Sequence, residues 1–298
     1  MAFLFFLFLK INCFFSVEML TNLSSNSNLS ERKPVKNQLN ILSSDLLSEY
    51  LKKVTTDLKA KFEALKDADI STDTFSFYTS VSSVFSSKIE GETIELDSYI
   101  KHKKFGIEFS PDYTKKIDDL YKAYTFAKSN ALNEGNIKEA HALLSKNILT
   151  HSKQGRYRNQ NMYVSTSEGR IEYVAASPFE VEFEINQLYT DVAQLLEQKM
   201  TMEEVFFFAS MIHLVFVKIH PWNDGNGRSA RLIEKWFLAQ KLGEKAWFLQ
   251  SEKMYYQEHQ AYYHNIRLLG LEYQSLDYSQ ALPFLLMLPN ALKNHGIY

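Results

Sequence analysis

An all-α domain bearing one small β-hairpin is the architecture that this 298-residue sequence specifies, on three grounds. Apolar residues recur at spacings of three and four along most of the chain, the period of a helix with one buried face. Turn-formers are scarce, at ten glycines and six prolines, too few for a sandwich or barrel built from many short strands. The helical period breaks at residues 158–178, where two short apolar runs flank Ser167-Glu168-Gly169 and read as a hairpin. A hydrophobic share of 45% and an aromatic share of 14% supply a sizeable core and argue against global disorder.

Taken in order, the chain opens on MAFLFFLFLKINCFFSVEML. Its run Phe3 to Leu9 is too short to span a bilayer, and it has neither the basic start nor the small-residue cleavage site of a signal peptide. The favoured reading is a misassigned start with Met19 as the true beginning; a weak membrane anchor is the alternative. Residues 21–40 are polar and rich in Ser and Asn, so 1–40 reads as a flexible leader. From Ile41 to Ala68, Leu42, Leu46, Tyr50, Val54, Leu58, Phe62 and Leu65 predict a helix. An apolar-patterned segment follows over Thr74–Glu92, and 41–110 forms an N-terminal helical region. Helices are expected at Pro111–Asn133, Asn136–Leu149 and Pro178–Lys199. Met202–Ile219 is almost continuously apolar and too long for an ordinary strand, so it predicts a buried central helix. Further helices are expected over Arg228–Lys241, Met254–Leu269 and the packing tail after Gly270, closing a core of 111–298.

The formal net charge of −2, without a basic block, disfavours a nucleic-acid binder. No stable membrane insertion is expected. The single cysteine, Cys13, excludes an intrachain disulfide or a cysteine-rich zinc site, so the expected setting is the reducing cytoplasm.

Chemistry concentrates in KIHPWNDGNGRSARLIEKW, residues 218–236. Pro221 ends the preceding helix near His220. Gly225 and Gly227 permit positive φ and bare successive backbone N–H groups. A helix starting near Arg228 then adds its unpaired N–H groups and positive dipole end. Arg228 and Arg231, three apart, share a face and suit phosphate oxygens. Asp224 is placed to hold Mg²⁺ against those phosphates, and a neutral His220 to take a proton from an attacking hydroxyl. Taken singly, the glycines are a turn, the arginines surface charge and the histidine a satisfied polar group. Together they predict phosphoryl or nucleotidyl transfer. GNGRSA matches a loose dinucleotide fingerprint, but a helix and not a strand precedes it, and no P-loop is present.

HPWNDGNGRSAR resembles the signature of the Fic (filamentation induced by cAMP) family, H-P-F-x-D/E-G-N-G-R-x-x-R, with Trp222 in place of the usual Phe. The likeness extends from about Ser76 to Arg267: GRYRNQNMYV resembles the approach to the family's flap, MIHLVFVKIHP its central helix and AYYHNI the helix after it. The resemblance implies a Fic-type helical bundle with a β-hairpin flap and transfer of AMP from ATP, with Mg²⁺, to a protein hydroxyl. On that resemblance His220 is the general base and Asp224 the metal ligand. Gly225, Asn226 and Gly227 form the anion hole, Arg228 contacts the phosphates and Arg231 orients the γ-phosphate. The flap, residues 164–174, docks an extended segment of the protein target. Tyr262 and Tyr263 are candidates for contact with the base.

The same resemblance gives SSKIEGE a meaning, since Ser86, Glu90 and Gly91 match the family's inhibitory pattern S/T-x-x-x-E-G/N. It implies a class with an N-terminal inhibitory helix, in which Glu90 pairs with Arg231 and blocks the γ-phosphate site. The expected function is therefore an autoinhibited protein adenylyltransferase acting on a Ser, Thr or Tyr hydroxyl, its own included. Removal of AMP, another phosphate transfer, and a non-catalytic interaction module are the alternatives.

Overall fold

The computed structural model describes residues 39–293 except 56, 74, 110 and 166–170, and the backbone alone of 111–113 and 172. The expectations for residues 1–38, Met19 and Cys13 among them, lie outside the described residues. Thirteen α-helices and four short 3-10 helices are described, and the described strands are one antiparallel pair, β1 (Tyr163–Ser165) and β2 (Ile171–Val174).

The centre is α8 (Met202–Ile219), buried from Val205 to Ile219, as its continuous apolar sequence demands. A capping box starts it: Thr201 Oγ1 accepts from the Glu204 N–H at 3.2 Å, and the Glu204 carboxylate accepts from the Thr201 N–H at 2.7 Å. Against it pack α9 (Asn226–Leu242) and α7 (Val181–Glu197), with α1 (Leu47–Lys53) and α2 (Leu58–Glu63). A second group comprises α3 (Phe77–Ile89), α4 (Leu96–Phe105), α5 (Pro111–Lys128) and α6 (Glu134–Leu144). Here α3 lies against α5, α9 and α10 (Ser251–Gln257). The chain closes with α11 (His259–Arg267) and two single turns, α12 (Leu282–Leu285) and α13 (Met287–Asn290). Among the described residues no helix is long and apolar enough to cross a membrane.

Several boundaries differ from expectation, each for a local reason. The segment 41–68 is two short helices. The backbone N–H groups of Asn40, Ile41 and Leu42 all donate to the Asp191 carboxylate, at 2.7–2.9 Å, and Val54 is extended. Glu258, at φ −101° and ψ 32°, divides 254–269 into α10 and α11. In the tail, Pro283 and Pro289 stand in single-turn helices in place of a longer one. Helix α4 was not anticipated: LDSYIKHKKF is rich in lysine and buries only Tyr99, although Gly106 (φ 66°) is a readable stop.

Candidate active site

Helix α8 ends where His220 turns left-handed, at φ 56°, the one described non-glycine residue with positive φ. The next five residues form a loop, and α9 starts at Asn226 behind Gly225, itself left-handed at φ 79°. A β-carbon at Gly225 would approach Leu144 Cδ1 to 2.9 Å, so both conformation and space require glycine there. The loop is closed by Asn226, whose amide accepts from the Trp222 N–H at 2.8 Å and donates to the Trp222 carbonyl at 2.9 Å. Trp222 is fully buried, stacked between His141 (centroids 4.3 Å, 14°) and Tyr157 (5.0 Å, 22°).

Arg158 holds the hinge from behind. Its Nε donates to the His220 carbonyl at 2.7 Å, Nη2 donates to the carbonyls of Ala176 and Ile219, and its backbone N–H donates to the Pro221 carbonyl. The helix end therefore meets a fixed guanidinium where its last carbonyls would otherwise be unpaired.

The tautomer of His220 follows from its neighbours. Nδ1 lies 3.2 Å from the Val217 carbonyl, which can only accept, so Nδ1 carries the proton. The Tyr173 hydroxyl donates to the same carbonyl at 3.0 Å and lies 3.1 Å from Nδ1 as a second acceptor. Nε2 is thus the atom with an available lone pair. Burial lowers the His220 pKa to about 4, with Arg158 pushing the same way and the Val217 carbonyl and Glu90 opposing. The ring is a neutral base at pH 7.

Arg231, on the first turns of α9, is fully buried. Its Nε donates to Ser86 Oγ at 2.9 Å, and Nη2 donates to the Ser86 carbonyl at 3.0 Å and to Glu90 Oε1 at 2.6 Å. Nη1 donates to the Tyr262 hydroxyl at 3.3 Å. Glu90 is the C-cap of α3, and Gly91 follows at φ 92°. Burial alone would raise the Glu90 carboxyl, but Arg231 and Arg228 outweigh it and hold it below the usual carboxylate range. A β-carbon at Gly227 would collide with Glu90 Oε1, so the carboxylate sits directly over the glycine wall of the loop.

Arg228 is buried, with Nη1 3.8 Å from Asp224 Oδ1. Its Nε has no hydrogen-bond partner among the described residues. Such an orphan donor beside a helix N-terminus is matched to an anionic ligand. The Asp224 side chain is 54% exposed. One exposed carboxylate fits a Mg²⁺ that arrives with phosphates and keeps its waters, and among the described residues no group of three metal-ligating side chains exists.

The structure thus brings together His220, Asp224, Gly225, Asn226, Gly227, Arg228, Arg231, Ser86, Glu90 and Gly91. Two expectations are revised. The Asn226 side chain closes the loop onto Trp222, leaving its backbone N–H as the group it offers to an anion. Tyr262 is buried behind Arg231 with its hydroxyl engaged, so it has no face for a base. Tyr263 stays partly buried, edge-on to Tyr262 at 5.2 Å. The hairpin places Tyr163 and Ile171 in the open; residues 166–170 of the expected flap lie outside the described residues. Sequence reasoning missed Arg158, Tyr173, His141 and His213. The signal for His213 was a polar ring inside an almost wholly apolar helix, which demands a buried partner.

Fold and site together define a helical protein that poises a neutral imidazole beside a glycine-lined helix start with two buried arginines. Residues 131–238 match the Fic/DOC family. A 109-residue stretch is 32% identical to a protein named protein adenylyltransferase Fic from Nematostella vectensis; it covers 36% of this chain and 22% of that relative. Among solved structures, a Fic family protein from Desulfovibrio desulfuricans superposes with TM-score 0.65 at 20% identity, over 86% of this chain and 74% of that one. Fic-1 from C. elegans superposes with TM-score 0.56 at 18% identity, over 83% and 69%. At these identities the structural likeness speaks for the fold.

Proposed function

We propose that this chain is a self-restrained protein adenylyltransferase. The observation that carries the reading is the 2.6 Å pair between Glu90 and Arg231, seated over Gly227. It occupies an arginine otherwise free to meet the terminal phosphate of a nucleotide in the cradle. In the transfer step, a target hydroxyl loses its proton to His220 Nε2 while its oxygen bonds to the α-phosphorus. The bond to the β-phosphate oxygen breaks, and pyrophosphate leaves. Backbone N–H groups of Asn226 and Gly227, at the start of α9, and Arg228 Nε meet the charge developing on the α-phosphate. Asp224 would hold Mg²⁺, which would add neutralisation of the phosphates when bound. The exposed edge of the hairpin holds the target as an added strand and aligns its hydroxyl. The name of the Nematostella vectensis relative supports AMP as the group transferred.

The test compares wild type, Glu90→Gly and Glu90→Gly/His220→Ala, with ATP labelled at the α- or the γ-phosphate. Covalent α-label is expected to rise at least ~10-fold with Glu90→Gly, a loss of about 1.4 kcal/mol of restraint, and to vanish in the double variant. Transfer of γ-label would make the protein a kinase. If wild type strips α-label from modified protein faster than Glu90→Gly does, the activity is AMP removal, with Glu90 as a participant.

A further inference from the structure

We infer that the buried chain Tyr262–His213–Glu234 is the fixed anchor of Arg231, a set of positioning residues that keeps its guanidinium aimed once Glu90 withdraws. The inference rests on the reading of Arg231 as a phosphate-gripping group.

Three of the four hydrogen bonds to Arg231 come from one place. Ser86 and Glu90 belong to the last turn and cap of α3. Any motion that removes Glu90 by withdrawing that turn removes the Ser86 contacts with it. The fourth bond, Nη1 to the Tyr262 hydroxyl, comes from α11 and is independent of the brake.

The polarity of the chain behind Tyr262 is set by arginine, which only donates. The Tyr262 oxygen accepts from Nη1, so its own proton points to His213 Nε2 at 2.9 Å. His213 Nδ1 then donates to Glu234 Oε2 at 2.7 Å, which also accepts from the Tyr255 hydroxyl at 2.8 Å. Burial raises the Tyr262 phenol to about 12, against the pull of Arg231, so the hydroxyl keeps the proton it passes along. Arg231, Glu234, His213, Tyr255 and Tyr262 are all buried. Glu234 lies one turn beyond Arg231 on α9. The guanidinium therefore faces two carboxylates: Glu90 directly, on a helix end, and Glu234 through two intervening side chains, inside the core. Hydrogen bonds in such a chain polarise one another. A first group held this way is what preorganised recognition requires.

The test uses the full chain in the Glu90→Gly background and measures equilibrium affinities for ATP and ADP with Mg²⁺. Their ratio reads the grip on the γ-phosphate, and adding Arg231→Ala sets its floor. Tyr262→Phe keeps the ring and removes one hydroxyl; the ATP preference is expected to fall roughly 10-fold, toward that floor, while ADP affinity stays. Glu234→Gln, which keeps shape and removes charge, gives a second reading in which the preference falls in the same direction. If both variants melt earlier yet keep the full ATP preference, the chain is core structure alone and the inference is overturned. If Glu90→Gly shows no ATP preference and Arg231→Ala changes nothing, Arg231 does not grip a γ-phosphate, and both readings fall.

Discussion

His220 combines a left-handed backbone, a Nδ1 proton tied to Val217 and a pKa lowered to about 4. Burial disfavours the imidazolium, so the base form persists from about pH 4 upward, where an ordinary histidine would be half protonated near 6.5. The acid limb of kcat/KM for the Glu90→Gly protein is therefore expected near pH 4. A limb near 6.5 would mean that the ring is solvated when it works. Histidine in a basic-rich motif is legible as a candidate base. Its working protonation state is not, because Tyr173 and Arg158 reach it from 47 and 62 residues away.

At the scale of elements, α3 carries the Glu90 contact to Arg231 on its end, but its body is clamped elsewhere. Lys235 of α9 donates to Ser82 Oγ of α3 at 2.6 Å and pairs with Glu252 of α10 at 2.5 Å, all three residues buried. Tyr124 of α5 donates to the other Glu252 oxygen at 2.6 Å. Removing one partner of a buried pair strands the other, at a cost of about 3–5 kcal/mol. Glu252→Ala is expected to lower stability to urea by about that amount and to strip hydrogen-exchange protection from the middle of α3. Unchanged protection there would show that another contact seats the helix. With the body held, fraying of the last turn at Gly91 is the cheap way to release Glu90. In sequence, SSKIEGE singles out Ser86, Glu90 and Gly91 through its spacing, whereas Ser82, Lys235 and Glu252 look like surface polar residues.

From Leu39 onward the chain forms one unit, and its stability should carry the signature of its buried histidines. His141 stacks on Trp222, accepts from the Gly155 N–H at Nδ1 (2.9 Å) and donates from Nε2 to the Asp224 carbonyl (3.0 Å). Burial lowers its pKa to about 4, with the Asp224 carbonyl opposing. A second ring proton would turn the Nδ1 acceptor into a donor facing another donor. The unfolded chain takes up that proton near 6.5 and the folded one only near 4, so stability is full above 6.5 and declines as pH falls through 4. A loss on the order of 3 kcal/mol from this group is expected across that window, measured by denaturant titration at several pH values. His141→Gln should flatten the decline; an equal slope in the variant would place the acid sensitivity elsewhere.

Periodicity, scarce turn residues and one motif determined the helical class, the central helix, the hairpin and the loop that follows His220. These rest on local rules: a helix shows its buried face every three or four residues, and a left-handed turn shows its glycine. Boundaries shifted wherever a distant group claimed the backbone, as Asp191 does at residues 40–42. Only the tertiary structure decided which polar residues meet. Arg158 reaches His220 across 62 residues, Lys235 reaches Ser82 across 153, and Tyr262 turns its hydroxyl to Arg231; the Glu90–Arg231 pair, across 141 residues, is the exception that the family pattern implied. The reason is that a buried charge or hydroxyl must find its partner wherever packing brings one, and that choice leaves no period in the sequence.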